Sequence, residues 1–180
     1  MPTKLPSGAA LTLRKPSMNT IPSGRASGDE YALFNPAYIA AVLAAGADGH
    51  QREYGSDLPI TLAWLLPVMA VPRAIRDELP ASVRLYLTRW LDSNPLVRPT
   101  IHRLAPLYAP TTRQALRFAV RHDVLALTST GIRGGTASRR FRASVPDEVA
   151  DSLNAARLLA RWLPRAGPPP TIFTLIGLRP

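Results

Sequence analysis

"TTRQALRFAVRHDVLALTSTGIRGGTASRRFR", residues 111–142, decides the fold. Thr111 or Thr112 can cap a helix running to about His122, because a threonine hydroxyl accepts from the orphaned N–H groups of a first turn. "VLALTST" is rich in residues that suit a pleated strand, three glycines follow at 131, 134 and 135, and "ASRRFRAS" can return as the second strand. A hairpin turn needing positive φ explains Gly134 and Gly135 without any ligand. A phosphate-cradling loop is excluded, since that motif ends in Gly-Lys-Ser/Thr at a helix N-terminus, and here the next element reads as a strand.

Upstream, "PLVRPTIHRLAPLY" reads as a short helix between prolines. Helix, helix, hairpin is the order of a winged helix-turn-helix. Further back, "YALFNPAYIAAVLAAGADGH" offers Asn35 as a cap, Pro36 at the first helical position and Gly46 as an end signal. Asp57 precedes "LPITLAWLLPVMAVPRAIRDELP", a central apolar helix expected to kink near Pro67 and Pro72. "ASVRLYLTRWLDSNP" predicts a third helix with Val83, Leu87, Trp90 and Leu91 on one stripe, stopped by Pro95. After Pro146, "DEVADSLNAARLLARWLPRAG" is an amphipathic helix with acids in its first turn and Gly167 just after it. "TIFTLIGLRP" reads as a buried closing strand. The expected fold class is mainly α (α+β), a helical domain with a winged helix-turn-helix-like core and a small β-hairpin. The expected organisation is a flexible basic arm over residues 1–28, rich in Pro, Ser, Gly and Thr, followed by one domain over 29–180.

The chain has 180 residues and a formal net charge of +10, and where that charge sits is more informative than its size. Residues 1–28 contribute +4 and residues 29–97 contribute −3, whereas residues 98–142 hold nine arginines against the single Asp123. On the helix expected over 112–122, Arg113, Arg117 and Arg121 fall at i, i+4 and i+8 and share a face. Like charges at that spacing are destabilising by a few tenths of a kcal/mol per pair, which an anionic ligand along the face would offset. Arg133, Arg139, Arg140 and Arg142 lie in the adjoining hairpin, and in a winged helix the second helix and the wing flank one nucleic-acid groove. The seven arginines together form a candidate nucleic-acid-binding patch that would meet chiefly phosphate, with weak sequence preference. A basic protein-binding face, or a merely solvated one, explains the same residues.

For catalysis the sequence offers little. Without cysteine there is no disulfide framework, thiolate metal site or Cys nucleophile, and the cytoplasm is the default compartment. His50 in a Gly-rich loop, His102 and His122 have no acid at ligand spacing, so neither metal nor cofactor is expected. The serines lack a Gly-x-Ser-x-Gly turn, and no nucleophile stands out. Leu58 to Val71 is too short for a membrane span, which needs about 20 apolar residues, and no signal-peptide core precedes it. Trp64, Trp90 and Trp162 each lie in an apolar stripe and are expected as core residues.

Laid out in order, "FNPAYIAAVL", "LPITLAWLLPVMAVPRAIRDELP", Trp90, "TTRQALRFAVRHDVL" and "TIFTLIGLRP" resemble a middle component of the ABC-three-component systems, over about Glu30 to Pro180. The resemblance implies a small bacterial protein encoded between an SMC-like or Rad50-like ABC ATPase and a third component, in predicted defence against phage or other mobile elements. It carries over no catalytic residues. The function expected on that basis is a non-enzymatic adaptor bridging the ATPase and the third component. Its basic patch would approach double-stranded DNA, with no membrane association and with a homodimer left open. The competing readings are a stand-alone winged-helix regulator, which should need a dimer and base-reading side chains, and a basic scaffold that never touches nucleic acid.

Overall fold

A computed structural model describes residues 35–137 and 146–178. It is mainly helical, with one small antiparallel hairpin, as the sequence leads one to expect. Helix α1, Pro36–Tyr54, begins as read: the Asn35 side-chain oxygen accepts from the N–H groups of Ala37 and Tyr38, at 3.1 and 3.2 Å, and Pro36 occupies the first turn. It does not end at Gly46. The helix runs on for two more turns to Gly55, whose φ of 67° is the left-handed conformation glycine adopts without strain. Gly46 and Gly49 instead face neighbouring helices inside it. A Cβ on Gly49 would lie 2.9 Å from the Arg157 backbone, and one on Gly46 would collide with the Leu66 side chain. Close approach, rather than chain reversal, is what these glycines supply. His50 consequently sits in a buried helical turn, not in a loop.

The central apolar segment breaks where proline chemistry says it should. Helix α2, Ile60–Ala63, stops one residue before α3, Leu65–Ala70. The ring of Pro67 lacks an N–H for the Ala63 carbonyl and crowds it, so the ladder cannot pass. Pro72, extended at ψ 124°, separates α3 from the single turn α4, Arg73–Arg76. The third helix is shorter than expected. Helix α5 spans only Leu87–Ser93, and the preceding residues from Pro80 form bends and turns.

The largest departure lies in the segment read as two helices. Helix α6, Val97–Arg121, is continuous over 25 residues with Pro106 and Pro110 inside it. Both prolines are on the exposed side, where carbonyls deprived of a donor can turn to water. Val97, Ile101, Tyr108, Thr112, Ala115 and Ala119 are buried along the opposite side and hold the helix on the core through both prolines. The turn of a helix-turn-helix is therefore absent between residues 97 and 121.

A hairpin does follow α6, in a different register. Strand β1, Leu125–Leu127, pairs with β2, Ile132–Gly134, so that Leu125 faces Gly134 and Leu127 faces Ile132. The turn is Thr128–Gly131, not the Gly134-Gly135 pair. The Thr128 N–H donates to the Gly131 carbonyl at 2.9 Å, and the Thr128 hydroxyl oxygen accepts from the Gly131 N–H at 3.0 Å. Leu58 adds a one-residue bridge on the other side of β2, exchanging two backbone bonds with Ile132 at 2.9 Å each. Side chains on Gly131 and Gly135 would run into the backbones of Leu58 and Asp123 respectively. The second strand expected from Ala137 onward falls largely on residues outside the described ones.

Helix α7, Asp147–Trp162, continues into a 3-10 turn, Leu163–Ala166, that ends at Gly167. The closing segment is a helix, α8, Pro169–Ile176, rather than a strand. Prolines preset its first turn, Gly177 at φ 85° ends it, and Ile172, Phe173 and Ile176 form a buried helical stripe. The core is built around α1, which packs most extensively on α7 and then on α6. Trp90 and Trp162 meet edge to face in it, with ring centroids 5.1 Å apart. Trp64 is only partly buried, in contrast to the other two.

Candidate functional site

The buried stripe of α6 places Arg113, Arg117 and Arg121 on its outward side, where all three are exposed. Arg103, which sequence reasoning omitted, precedes Arg121 by 18 residues, a whole number of helical turns, so it joins the same face. From Arg103 to Arg121 this face is about 27 Å long, at 1.5 Å rise per residue. The missing signal was continuity: two short helices would have rotated Arg103 to an arbitrary direction. Arg113 also lies over Trp64, its guanidinium carbon 5.9 Å from the ring centroid, so the partly buried indole carries a cation on its face. Arg117 and Arg121 make no ion pair among the described residues.

Arg133 has a different setting. Its guanidinium pairs with Asp57, Nε to Oδ1 at 3.3 Å. The same carboxylate accepts the hydroxyls of Thr128 at 2.7 Å and Thr130 at 3.1 Å. Chiefly through the Thr128 hydroxyl, and further through Thr130 and the Arg133 charge, Asp57 is held below the ordinary carboxylate range despite some desolvation. Arg133 thus ties the hairpin to the loop before α2 while leaving over half its side chain in solvent. Arg139, Arg140 and Arg142 lie outside the described residues.

Two polar junctions that the sequence did not signal lock the helices beneath this surface. Arg76, 8% exposed, donates to the Val71 carbonyl at 2.6 Å and the Ala70 carbonyl at 3.3 Å, satisfying groups that the helix end at Pro72 leaves open. It also donates to the Ser152 hydroxyl at 2.9 Å, which accepts from Tyr38 at 2.7 Å and itself donates to the Glu148 carbonyl at 3.0 Å. At the other end of α1, Glu53 bridges Arg165 at 2.9 Å and Arg161 at 3.0 Å, and those two hydrogen bonds lower its pKa. The histidines have structural partners: His50 Nδ1 donates to the Ala160 carbonyl at 3.0 Å, His102 Nε2 to the Ile176 carbonyl at 3.1 Å, and the exposed His122 ring lies tilted against Phe118 with centroids 4.4 Å apart.

No described helix is long and apolar enough to cross a membrane. No curated protein and no solved structure matches the chain significantly. One family model, however, described as ABC-three component (ABC-3C) system Middle Component 3, matches residues 23–180 and so covers every helix and strand described above. With that match over most of its length, the chain belongs to the middle-component-3 family of ABC-three-component systems.

Proposed function

We propose that the protein is a non-catalytic adaptor that joins an SMC-like or Rad50-like ABC ATPase to the third component of its system, in defence against phage or other mobile elements. Membership of a middle-component family supports the adaptor role. The surface assigned to DNA is the outward side of α6 with Arg113, Arg117 and Arg121; Arg133, Arg139, Arg140 and Arg142 stay candidates on their sequence positions alone.

The observation that carries this assignment is a row of exposed arginines on one rigid helix whose opposite side is buried in the core. Their repulsion is unrelieved by acids among the described residues, and a polyanion along the row would relieve it. Guanidinium groups spaced along one helix face can pair with successive phosphates, so binding should be steeply salt-dependent and only weakly dependent on sequence. Binding of duplex DNA by wild type and by an Arg113→Glu/Arg117→Glu/Arg121→Glu variant, each across a salt series, tests it. The variant is expected to lose affinity and to flatten the salt slope by about three phosphate contacts. An unchanged slope would remove DNA from this face, and a dimer that bound one sequence tightly would favour a stand-alone regulator.

A further inference from the structure

A second surface has the opposite chemistry. Between the turns that lead into α5 and the 3-10 turn after α7 lies a cleft of about 450 Å³. Trp162 and Leu87, 1% and 3% exposed, lie buried at its base, and the partly exposed Val83, Leu85 and Ala166 with Tyr86, 78% exposed, supply its accessible apolar surface. The base is fixed. Trp162 stands edge-on to Trp90 and its indole N–H donates at 2.6 Å to the carbonyl of Leu85 in the wall, while the Trp90 N–H donates at 2.6 Å to the Glu78 carbonyl. A cleft braced in this way needs little ordering when something enters it. The charged residues lining it are Arg84 and Arg165; Arg165 already holds Glu53 at 2.9 Å, whereas Arg84 makes no ion pair among the described residues.

We infer that this cleft docks a segment of a partner subunit in which an aromatic or branched aliphatic side chain is flanked by carboxylates. The apolar side chain packs on the accessible parts of Val83, Leu85 and Tyr86 above the buried Trp162 and Leu87, and the flanking carboxylates face Arg84, with Arg165 shared with Glu53. Charge decides the occupant. A second copy of this chain meeting the cleft about a two-fold axis would set these arginines against the same arginines. Nucleic acid would find an apolar floor with cations only at the rim. An exposed tyrosine over a rigid apolar pocket is the residue type and setting in which interface energy concentrates. None of the lining residues belongs to α6, so an adaptor could hold a protein here while its basic helix is engaged. The inference rests on the adaptor reading.

The test uses the full chain with the purified ABC ATPase and the purified third component of its system, titrated separately. Tyr86→Ala and Arg84→Glu should each weaken binding to one of the two by about tenfold or more. Arg84→Lys should retain most of it, and DNA affinity should stay at the wild-type level for Tyr86→Ala. Both residues are exposed, so melting temperatures should not move, and a variant that did melt early would be replaced by Tyr86→Ser. Wild-type affinity for both partners in Tyr86→Ala and Arg84→Glu would overturn the cleft assignment and leave the adaptor reading standing. Failure of the wild-type chain to bind either partner would overturn both. Loss of self-association, with partner binding intact, would give the cleft to a second copy instead.

Discussion

At the scale of single residues, glycine has two distinct uses in this chain, and substitution separates them. Gly49→Ala should lower stability by about 1–3 kcal/mol in chemical denaturation, because the added methyl presses on the Arg157 backbone, although alanine is the better helix former. Gly55→Asn should be nearly neutral, since that site demands a left-handed φ but has open space around it. A stabilised Gly49→Ala would refute the close-packing account. Sequence alone could not separate the two: a glycine after an apolar run resembles a helix stop whether it ends the helix or admits a neighbour. Asp57 supplies a pH signature. Its folded pKa is depressed below the ordinary 3.8, so its contribution is fully present above that value and fades as pH falls through the lower folded value. The stability difference between wild type and Asp57→Asn should therefore be constant near neutrality, shrink below pH 3.8 and vanish in stronger acid. A difference that did not depend on pH would separate the hairpin from the Asp57 charge.

At the scale of elements, α6 is the finding that most changes the sequence reading. Pro106 and Pro110 look like breaks because proline removes a donor and crowds the preceding turn, yet both lie on the solvent side while the buried stripe continues past them. Local chemistry could not show which side of the helix the prolines occupy; only the stripe from Val97 to Ala119 does. Ala109→Gly discriminates, since it should destabilise by about 1 kcal/mol inside a continuous helix and have little effect in a turn. The arginine row is not uniform either. Arg113→Ala should destabilise by roughly 0.5–1 kcal/mol through loss of its contact with Trp64. Arg117→Ala should leave stability unchanged or raise it by a few tenths of a kcal/mol by easing repulsion, and equal losses at both sites would contradict this division. Thr171 to Ile176 misled for a similar reason. Its β-branched and aromatic residues suit a strand, but Ile172, Phe173 and Ile176 follow a helical period between a proline start and a glycine stop.

At the scale of the molecule, the mainly helical class, the capped start of α1, the two breaks at Pro67 and Pro72 and the arginine face on residues 113–121 could all be read from the sequence, because each follows from local chemistry or periodicity. The polar junctions at Arg76 and Glu53 could not, since they join residues more than 70 positions apart and no spacing rule connects them. Together these junctions fasten α4, α1 and α7 into one core that presents a basic helix and a braced apolar cleft through different residues. Two separate surfaces on a rigid body are what an adaptor requires. The most direct test of that role is the mass of complexes formed when the ABC ATPase and the third component are mixed with and without this chain at near-physiological salt. The account predicts one assembly containing all three proteins, with the ATPase and third component apart when the chain is omitted. Equal association of those two proteins without the chain would contradict it.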